Sequence, residues 1–233
     1  MKSLTRTAIA LAAASMIAVG CDDDTTTAPV TPSEARVRVM HGSPNAPAVD
    51  VLVDGQPVLT GVAYPQNSSY LVVPAGARNL QVRVAGTSTV VIDETPSLQA
   101  NSDYTVIASG LVVSIQAWVL ADDNSPPGPG MTKVRLVHNA PSAPEVDIYV
   151  TAPGADLNAA TPVLTSVPFA AASPYLEVAA GTYQVRICPA GTKTVAIDSG
   201  ALALAAGQIR TAIAIDAPGG GSPFGAVLLA DLN

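Results

Sequence analysis

Short apolar runs separated by turn residues recur along the chain from residue 35 onward. In Leu80–Val84, the apolar residues alternate with Gln81 and Arg83, which is the period-2 pattern of a strand buried on one face. No segment keeps a helical period. In the first half of the chain this pattern predicts strands near residues 35–41, 48–53, 57–62, 69–73, 78–85, 88–93, 103–109 and 112–120.

Turn residues mark where these strands reverse. Asp54-Gly55 is a tight hairpin signal, and Pro74-Ala75-Gly76 predicts a second turn in which the glycine supplies a positive φ. Seven or eight short strands in about 90–100 residues are typical of a sandwich of two sheets. The sequence therefore predicts an all-β fold, a β-sandwich of immunoglobulin-like or prealbumin-like type.

The strand pattern occurs twice. Lys133–Val150 repeats Arg36–Val53 almost position by position, and both copies end on Leu-Ala-Asp. The offset between the copies grows across one insertion near 152–160, which predicts a longer loop in the second copy. Long repeats of this kind indicate two tandem domains, not a solenoid. We expect one sandwich at 35–121, a Pro/Gly-rich linker at 122–131 and a second sandwich at 132–233.

The first 20 residues predict a signal peptide. Lys2 and Arg6 precede an uncharged, mostly apolar run of 12 residues, Ala8–Val19, which is too short to span a membrane. The ending Ala-Val-Gly-Cys resembles a bacterial lipobox, with alanine where leucine is commonest. That resemblance implies that Cys21 carries a covalent lipid and becomes the new N-terminus. The alternative is an ordinary secretory signal that leaves Cys21 as a free thiol.

Residues 21–34 are polar and rich in Thr and Pro, which predicts a flexible tether after the lipid. The protein is then expected to be exported and anchored to the bacterial cell envelope. The three aspartates that follow Cys21 resemble an inner-membrane retention signal of enteric bacteria, a rule that does not carry to all lineages. The choice between the inner and outer membrane, and between a periplasmic and a surface-exposed face, stays open.

Charge narrows the set of partners. The chain has 11 basic and 18 acidic residues, and removal of Lys2 and Arg6 with the signal peptide leaves 9 − 18, a net charge of −9. Such a charge argues against nucleic acid and against binding to anionic headgroups. If Cys21 is lipidated, Cys188 has no disulfide partner within the chain. We then expect Cys188 to be a small, partly buried side chain, with a reactive or cross-linking thiol as the alternative.

The opening of each copy has the pattern basic-Val-Arg-apolar-apolar-His-x-x-Pro-x-x-Pro-x-Val-Asp, starting at Arg36 and at Lys133. Together with the later Tyr-Leu and Ala-Gly, it resembles the bacterial DUF4397 family over both copies. The resemblance implies an extracytoplasmic β domain that often occurs on lipoproteins. It implies no activity, because none is established for the family.

The repeated motif also supplies the candidate site residues. The two histidines of the chain, His41 and His138, end a strand in matching positions, and Asp50 and Asp147 begin the next. One interpretation is structural: the imidazole donates to a corner carbonyl or to the aspartate. The other is a metal ligand or a general base, although one His and one Asp per copy are too few for a closed zinc site.

No catalytic motif, metal-binding cluster or cofactor-binding loop accompanies these residues. The sequence therefore favours a non-catalytic, lipid-anchored module that binds or supports something, with an envelope protein or a glycan as possible partner. One alternative is an extracytoplasmic hydrolase or metal-dependent enzyme that uses the repeated His/Asp pair. A second alternative is a surface protein that assembles itself through exposed strand edges.

Overall fold

The computed structural model describes residues 33–232, and these residues form β-strands and loops with no α-helix. The predicted signal peptide, Cys21 and almost all of the predicted tether lie outside the described residues. Within 33–232 no helix has the length and apolarity that a membrane span requires. The all-β prediction is confirmed.

Each copy contributes ten strands to the described chain. The strands of the first copy are β1 (Glu34–His41), β2 (Val49–Val53), β3 (Gln56–Val62), β4 (Leu71–Pro74), β5 (Gly76–Ala77), β6 (Leu80–Val84), β7 (Val90–Glu94), β8 (Ser97–Leu98), β9 (Asp103–Ser109) and β10 (Gln116–Asp122). The strands of the second copy are β11 (Met131–Asn139), β12 (Val146–Thr151), β13 (Leu164–Val167), β14 (Ala171–Ala172), β15 (Leu176–Ala179), β16 (Gly181–Pro189), β17 (Ile197–Asp198), β18 (Leu202–Leu204), β19 (Ile209–Ile215) and β20 (Gly225–Ala230).

The two copies build their sheets in the same order. In the first copy one sheet runs β10-β9-β1-β4 and the other β3-β2-β6-β7. In the second copy the order is β20-β19-β11, continued by β14 and β15, with β13-β12-β16-β17 opposite. In both, the opening strand pairs in parallel with the penultimate strand, β1 with β9 and β11 with β19. Each copy is therefore a β-sandwich.

The alternating pattern places one apolar row of each strand between the two sheets. In the first sandwich Val37 and Val106 of one sheet share a core with Val51 and Leu80 of the other. A matching core in the second sandwich joins the two sheets through the residues Leu136, Ile148, Ile187 and Ala214. The hairpin predicted at Asp54-Gly55 is present, with φ of 49° and 77°.

The strand predicted at 112–120 is wrong at its beginning. Val112–Ser114 form a single 3-10 turn, and β10 starts only at Gln116. Gly110, with φ of 90°, lets the chain leave β9. The Val112 N–H donates to the Asn45 side chain at 2.8 Å, so a contact from a distant loop holds the turn.

Three strands contain runs of at least five consecutive buried residues and are thus buried on both faces, which a simple sandwich does not explain. All seven residues of β9 are buried, as are the last five of β1 and of β11. The second face is covered by the other copy. Met40 and Ile107 of the first sandwich form one apolar cluster with Val137, Ile213 and Leu229 of the second. The two inner sheets thus pack against each other, and the described chain has four layers of sheet.

Candidate functional site

The two histidines pin the corners that follow the opening strands. His41 Nε2 lies 2.9 Å from the Pro47 carbonyl oxygen, and His138 Nε2 lies 3.1 Å from that of Pro144. Because a carbonyl only accepts, each Nε2 carries the proton and donates. Both side chains belong to residues that are only 1% exposed. The corner carbonyl foreseen from the sequence is the partner in each copy.

The immediate surroundings of the two imidazoles differ. His138 Nδ1 accepts from the Ala140 N–H at 3.3 Å, and burial lowers the pKa of His138. At the matching place in the first copy, His41 Nδ1 and Ser43 Oγ are buried without a hydrogen-bond partner in the described chain. The neutral imidazole of His138 is therefore the form that suits its site.

The two aspartates of the motif each tie an edge strand and a turn to the strand that carries them. Asp50 accepts from the N–H groups of Gly61 at 2.8 Å and Gly86 at 3.0 Å. Asp147 accepts in the same way from Ser166 at 2.9 Å and Gly191 at 2.8 Å. The N–H donors, that of Gly86 foremost, lower the pKa of Asp50.

The histidine and the aspartate of each copy thus serve different partners. No hydrogen bond joins them anywhere in residues 33–232, and this part of the chain brings together no group of three or more His, Cys, Asp or Glu side chains that could hold a metal ion. The motif locks a corner, an edge strand and a turn in each copy.

A buried arginine of the first copy reaches into the second. Arg38 Nη2 lies 2.7 Å from Asp231 Oδ1, and Nη1 donates to the Ala230 carbonyl at 2.8 Å. Within its own copy the guanidinium donates to Thr105 at 2.8 Å and stacks 4.8 Å above the centre of the Tyr70 ring. Arg38 is 1% exposed, and Asp122 Oδ2 also lies 3.9 Å from its Nη2, so its charge is compensated inside the protein.

The second copy returns the same contacts. Arg135 Nη2 lies 2.6 Å from Asp122 Oδ1, and Nη1 donates to the Ala121 carbonyl at 3.0 Å. Arg135 also donates to Thr211 at 3.1 Å and lies 4.8 Å above the Tyr175 ring. The arginine of each copy thus contacts the final aspartate of the other copy, which is the reciprocity of a two-fold symmetric interface.

The tyrosine and threonine hydroxyls complete this reciprocal network of Arg38, Arg135, Asp122 and Asp231. Each carboxylate accepts from one tyrosine and one threonine of its own copy at 2.6–2.8 Å, in the pairs Tyr70–Asp122, Thr105–Asp122, Tyr175–Asp231 and Thr211–Asp231. Burial raises the pKa of both tyrosines, so their hydroxyls stay protonated donors. The sequence showed these residues as repeated, but not as one cluster.

The second sandwich contains an apolar cleft of about 440 Å³ between its two sheets. It opens between the edge strands β17 and β20, and its walls include Leu136, Ile148, Val185, Phe224 and Leu228. Its volume lies within the range of small-ligand sites, about 300–1,000 Å³. Sequence reasoning missed it, because its residues come from both sheets.

Cys188 lies away from this cleft. It is 0% exposed and packs with Tyr149 and with Leu157 of the longer second-copy loop. Burial raises the pKa of its thiol. Cys188 is therefore a small buried side chain, as predicted.

Fold and site together define an all-β protein with two β-sandwich copies, each closed at one corner by a His/Asp motif. The chain belongs to the family described as a domain of unknown function, DUF4397, whose model matches residues 35–149 and 150–233. The border between these two segments falls in β12, whereas the structural repeat divides the chain between β10 and β11. The family description assigns no activity.

Two further comparisons add little. A search of curated proteins finds no match to this sequence. Among solved structures, a leucine-rich repeat protein from Bacteroides thetaiotaomicron aligns at 12% identity with a TM-score of 0.19. The alignment covers 82% of this chain but only 27% of that protein, and a likeness this slight carries no argument about fold or function.

Proposed function

We propose that the protein is a lipid-anchored, extracytoplasmic module of the cell envelope that acts by binding or structural support and not by catalysis. The anchor rests on the sequence: Cys21 follows the apolar run of a signal peptide, and a polar tether separates it from β1. Stable anchoring needs two or more acyl chains, which a lipidated N-terminal cysteine provides.

One observation carries the non-catalytic part of the proposal. His41 and His138, the two imidazoles of the chain, are each 1% exposed and each donate to a corner carbonyl. A general base needs access to a substrate proton within hydrogen-bond reach. Imidazoles held in this way support a structural role for the repeated motif.

The anchor is tested by labelling cells that express the full chain with an alkyne-tagged fatty acid. The wild-type protein should carry the label and sediment with membranes, whereas Cys21→Ser should lose both properties. Cys188→Ser is the matched control and should behave as wild type. An unlabelled wild-type chain, or label that persists in Cys21→Ser, would contradict the anchor.

The non-catalytic role is tested by metal analysis of the purified protein. We expect no stoichiometric transition metal in the wild type and no difference in His138→Ala. A metal present at one equivalent and lost in His138→Ala would overturn the proposal in favour of a metal-dependent enzyme.

A further inference from the structure

The apolar cleft exists because the two sandwiches close differently at one edge. In the first copy β7 spans five residues, Val90–Glu94, and packs against β10. In the second copy the corresponding strand, β17, spans only Ile197–Asp198, and the space between it and β20 stays open to solvent. The same fold thus provides a closed sandwich and an open one within a single chain.

At two positions that line the cleft, the second copy has alanine where the first copy has valine. Asp93 accepts a hydrogen bond from Gln81, and Asp198 accepts one from Gln184. The two aspartates therefore occupy equivalent positions, and so do the residues two places before them. Val91 of the first copy then corresponds to Ala196. In the penultimate strands, Thr105 and Thr211 are equivalent in the reciprocal network. Val106, the next residue of β9, therefore corresponds to Ala212 of β19. Ala196 and Ala212 both line the cleft.

The lining selects an aliphatic occupant. Aliphatic side chains form most of the wall, and Phe224 is the one aromatic residue that the described chain places there. The first copy carries valine, Val91 and Val106, at the positions of the two alanines. Because facing sheets lie roughly 10 Å apart, the slot between them accepts an extended alkyl chain more readily than a bulky ring system.

Charge at the cleft argues against an anionic head group. No Lys, Arg or His is among the residues that line it, and Asp198 is the charged residue at its rim. Hydrogen bonds from Gln184 and from the Gly200 N–H lower the pKa of Asp198, so the rim is negative at neutral pH. A carboxylate or phosphate placed there would meet a like charge, and Arg186, the cation that acts on Asp198, is buried and donates to Thr151 and to the Ala155 carbonyl.

We infer that the apolar cleft is a binding site for the single aliphatic chain of a free, small amphiphile with an uncharged head group. The chain enters between β17 and β20 and lies against Ala196 and Ala212, where the first copy carries Val91 and Val106. The head group stays at the rim beside Asp198 and Ser199. This inference goes beyond the proposed function and does not depend on the lipid of Cys21.

The test uses the full chain with Cys21→Ser, so that no covalent lipid competes for the cleft. Calorimetric titration with 1-decanol, below its solubility limit, should give saturable binding. Decanoate, which has the same chain length and a charged head, should bind at least several-fold more weakly. Absence of saturable 1-decanol binding would overturn the inference while leaving the anchor untouched, as would decanoate affinity equal to that of 1-decanol.

Matched variants locate the ligand. Ala196→Val and Ala212→Val restore the first-copy residues, and together they should weaken 1-decanol binding at least tenfold. Val91→Ala, the reciprocal change in the closed copy, should leave binding unchanged. Unaltered affinity in the filled double variant would contradict the assignment. If a peptide of alternating Val and Thr stabilises the protein and 1-decanol does not, the inference would be overturned in favour of a peptide strand that pairs with β20.

A variant at the protein surface tests the site even if the Ala196→Val, Ala212→Val double variant does not fold. Leu228 lines the cleft and is 42% exposed, so Leu228→Lys places a cation at the lip without altering the core. Decanoate should then gain affinity relative to 1-decanol, and this gain should shrink at high salt because exposed charges are screened. An unchanged ratio would contradict the location of the head group.

Discussion

At the scale of single residues, the decisive groups are the buried charges between the two copies. A buried ion pair is expensive to desolvate and becomes tolerable only when all its hydrogen-bonding groups are satisfied. Arg38 meets this condition through a carboxylate, a carbonyl, a hydroxyl and an aromatic ring. Removal of one partner therefore leaves the other charge buried and uncompensated.

Replacement of Arg38 by alanine should lower the free energy of unfolding by about 3–5 kcal/mol, because it strands the buried Asp231 carboxylate. Arg135→Ala, the equivalent change in the second copy, should cost a similar amount. Arg78→Ala is the control, since Arg78 pairs with a half-exposed Asp54 and should cost less than about 1 kcal/mol. Urea titrations measure all three, and equal costs for Arg38 and Arg78 would contradict the network.

The lowered pKa of His138 predicts a pH dependence of stability. As the pH falls through about 6.5, the ordinary histidine pKa, the unfolded chain binds a proton that folded His138 resists. The free energy of unfolding should therefore fall between pH 7 and pH 5. His138→Gln should flatten this slope. The lowered pKa of Asp50 acts only below about pH 4, outside this window, so an unchanged slope in His138→Gln would contradict the assignment.

At the scale of strands and loops, alternation predicted most of the elements because each strand of a sandwich has one face toward its own core. It failed at Val112–Ile115, where an apolar run reads as strand but a hydrogen bond to Asn45 holds a turn. It also missed two-residue strands such as β5 and β8, since two residues cannot show a period. The longer loop predicted near 152–160 is confirmed and lies between β12 and β13.

That loop packs on the outer face of the second sandwich, where Arg186 and Gln184 bind its first half and Lys193 its second half. Lys193 Nζ donates to the Leu157 carbonyl at 2.9 Å and to the Ala160 carbonyl at 2.6 Å, and it lies 4.2 Å above the Tyr149 ring. Leu157 in turn packs against Cys188. The reactivity of the Cys188 thiol therefore reports whether the loop is closed over it.

Lys193→Met should expose Cys188 to thiol reagents. Hydrogen bonds to charged groups contribute about 1.5–3 kcal/mol, so local opening, and with it the rate of modification, should rise roughly tenfold or more. The measurement uses the Cys21→Ser chain, in which Cys188 is the one remaining thiol. Arg78→Met in the first copy is the control and should leave the rate unchanged. An equal rate in Lys193→Met would mean that the loop does not shield the thiol.

At the scale of the whole molecule, the two sandwiches behave as one folded unit. The apolar cluster around Met40 and Ile213 lies between them, flanked by the reciprocal network. Close approach is also required at Gly42, because an added Cβ would lie 2.5 Å from the Asn139 side chain. Asn139 donates to the Gly42 carbonyl at 2.9 Å.

Separated halves of the chain should therefore find each other. Fragments 33–125 and 126–233 each expose a buried arginine and an apolar sheet face, so each alone should aggregate or fold poorly. Mixed together they should form a 1:1 complex by analytical ultracentrifugation. Arg38→Ala in the first fragment should weaken that complex. Two stable, folded monomers that do not associate would contradict this prediction.

The sequence by itself determined the all-β fold, the duplication and the corner motif, because alternation, turn residues and repeated spacing are local properties of the chain. It also offered the His–carbonyl contact, which joins residues only six apart in each copy. Tertiary structure alone decided that Arg38 is buried, since its partner Asp231 lies 193 residues away. Tertiary structure alone also decided that Ala196 and Ala212 line a cleft, because a small side chain leaves a cavity only where no side chain of the facing sheet fills the space.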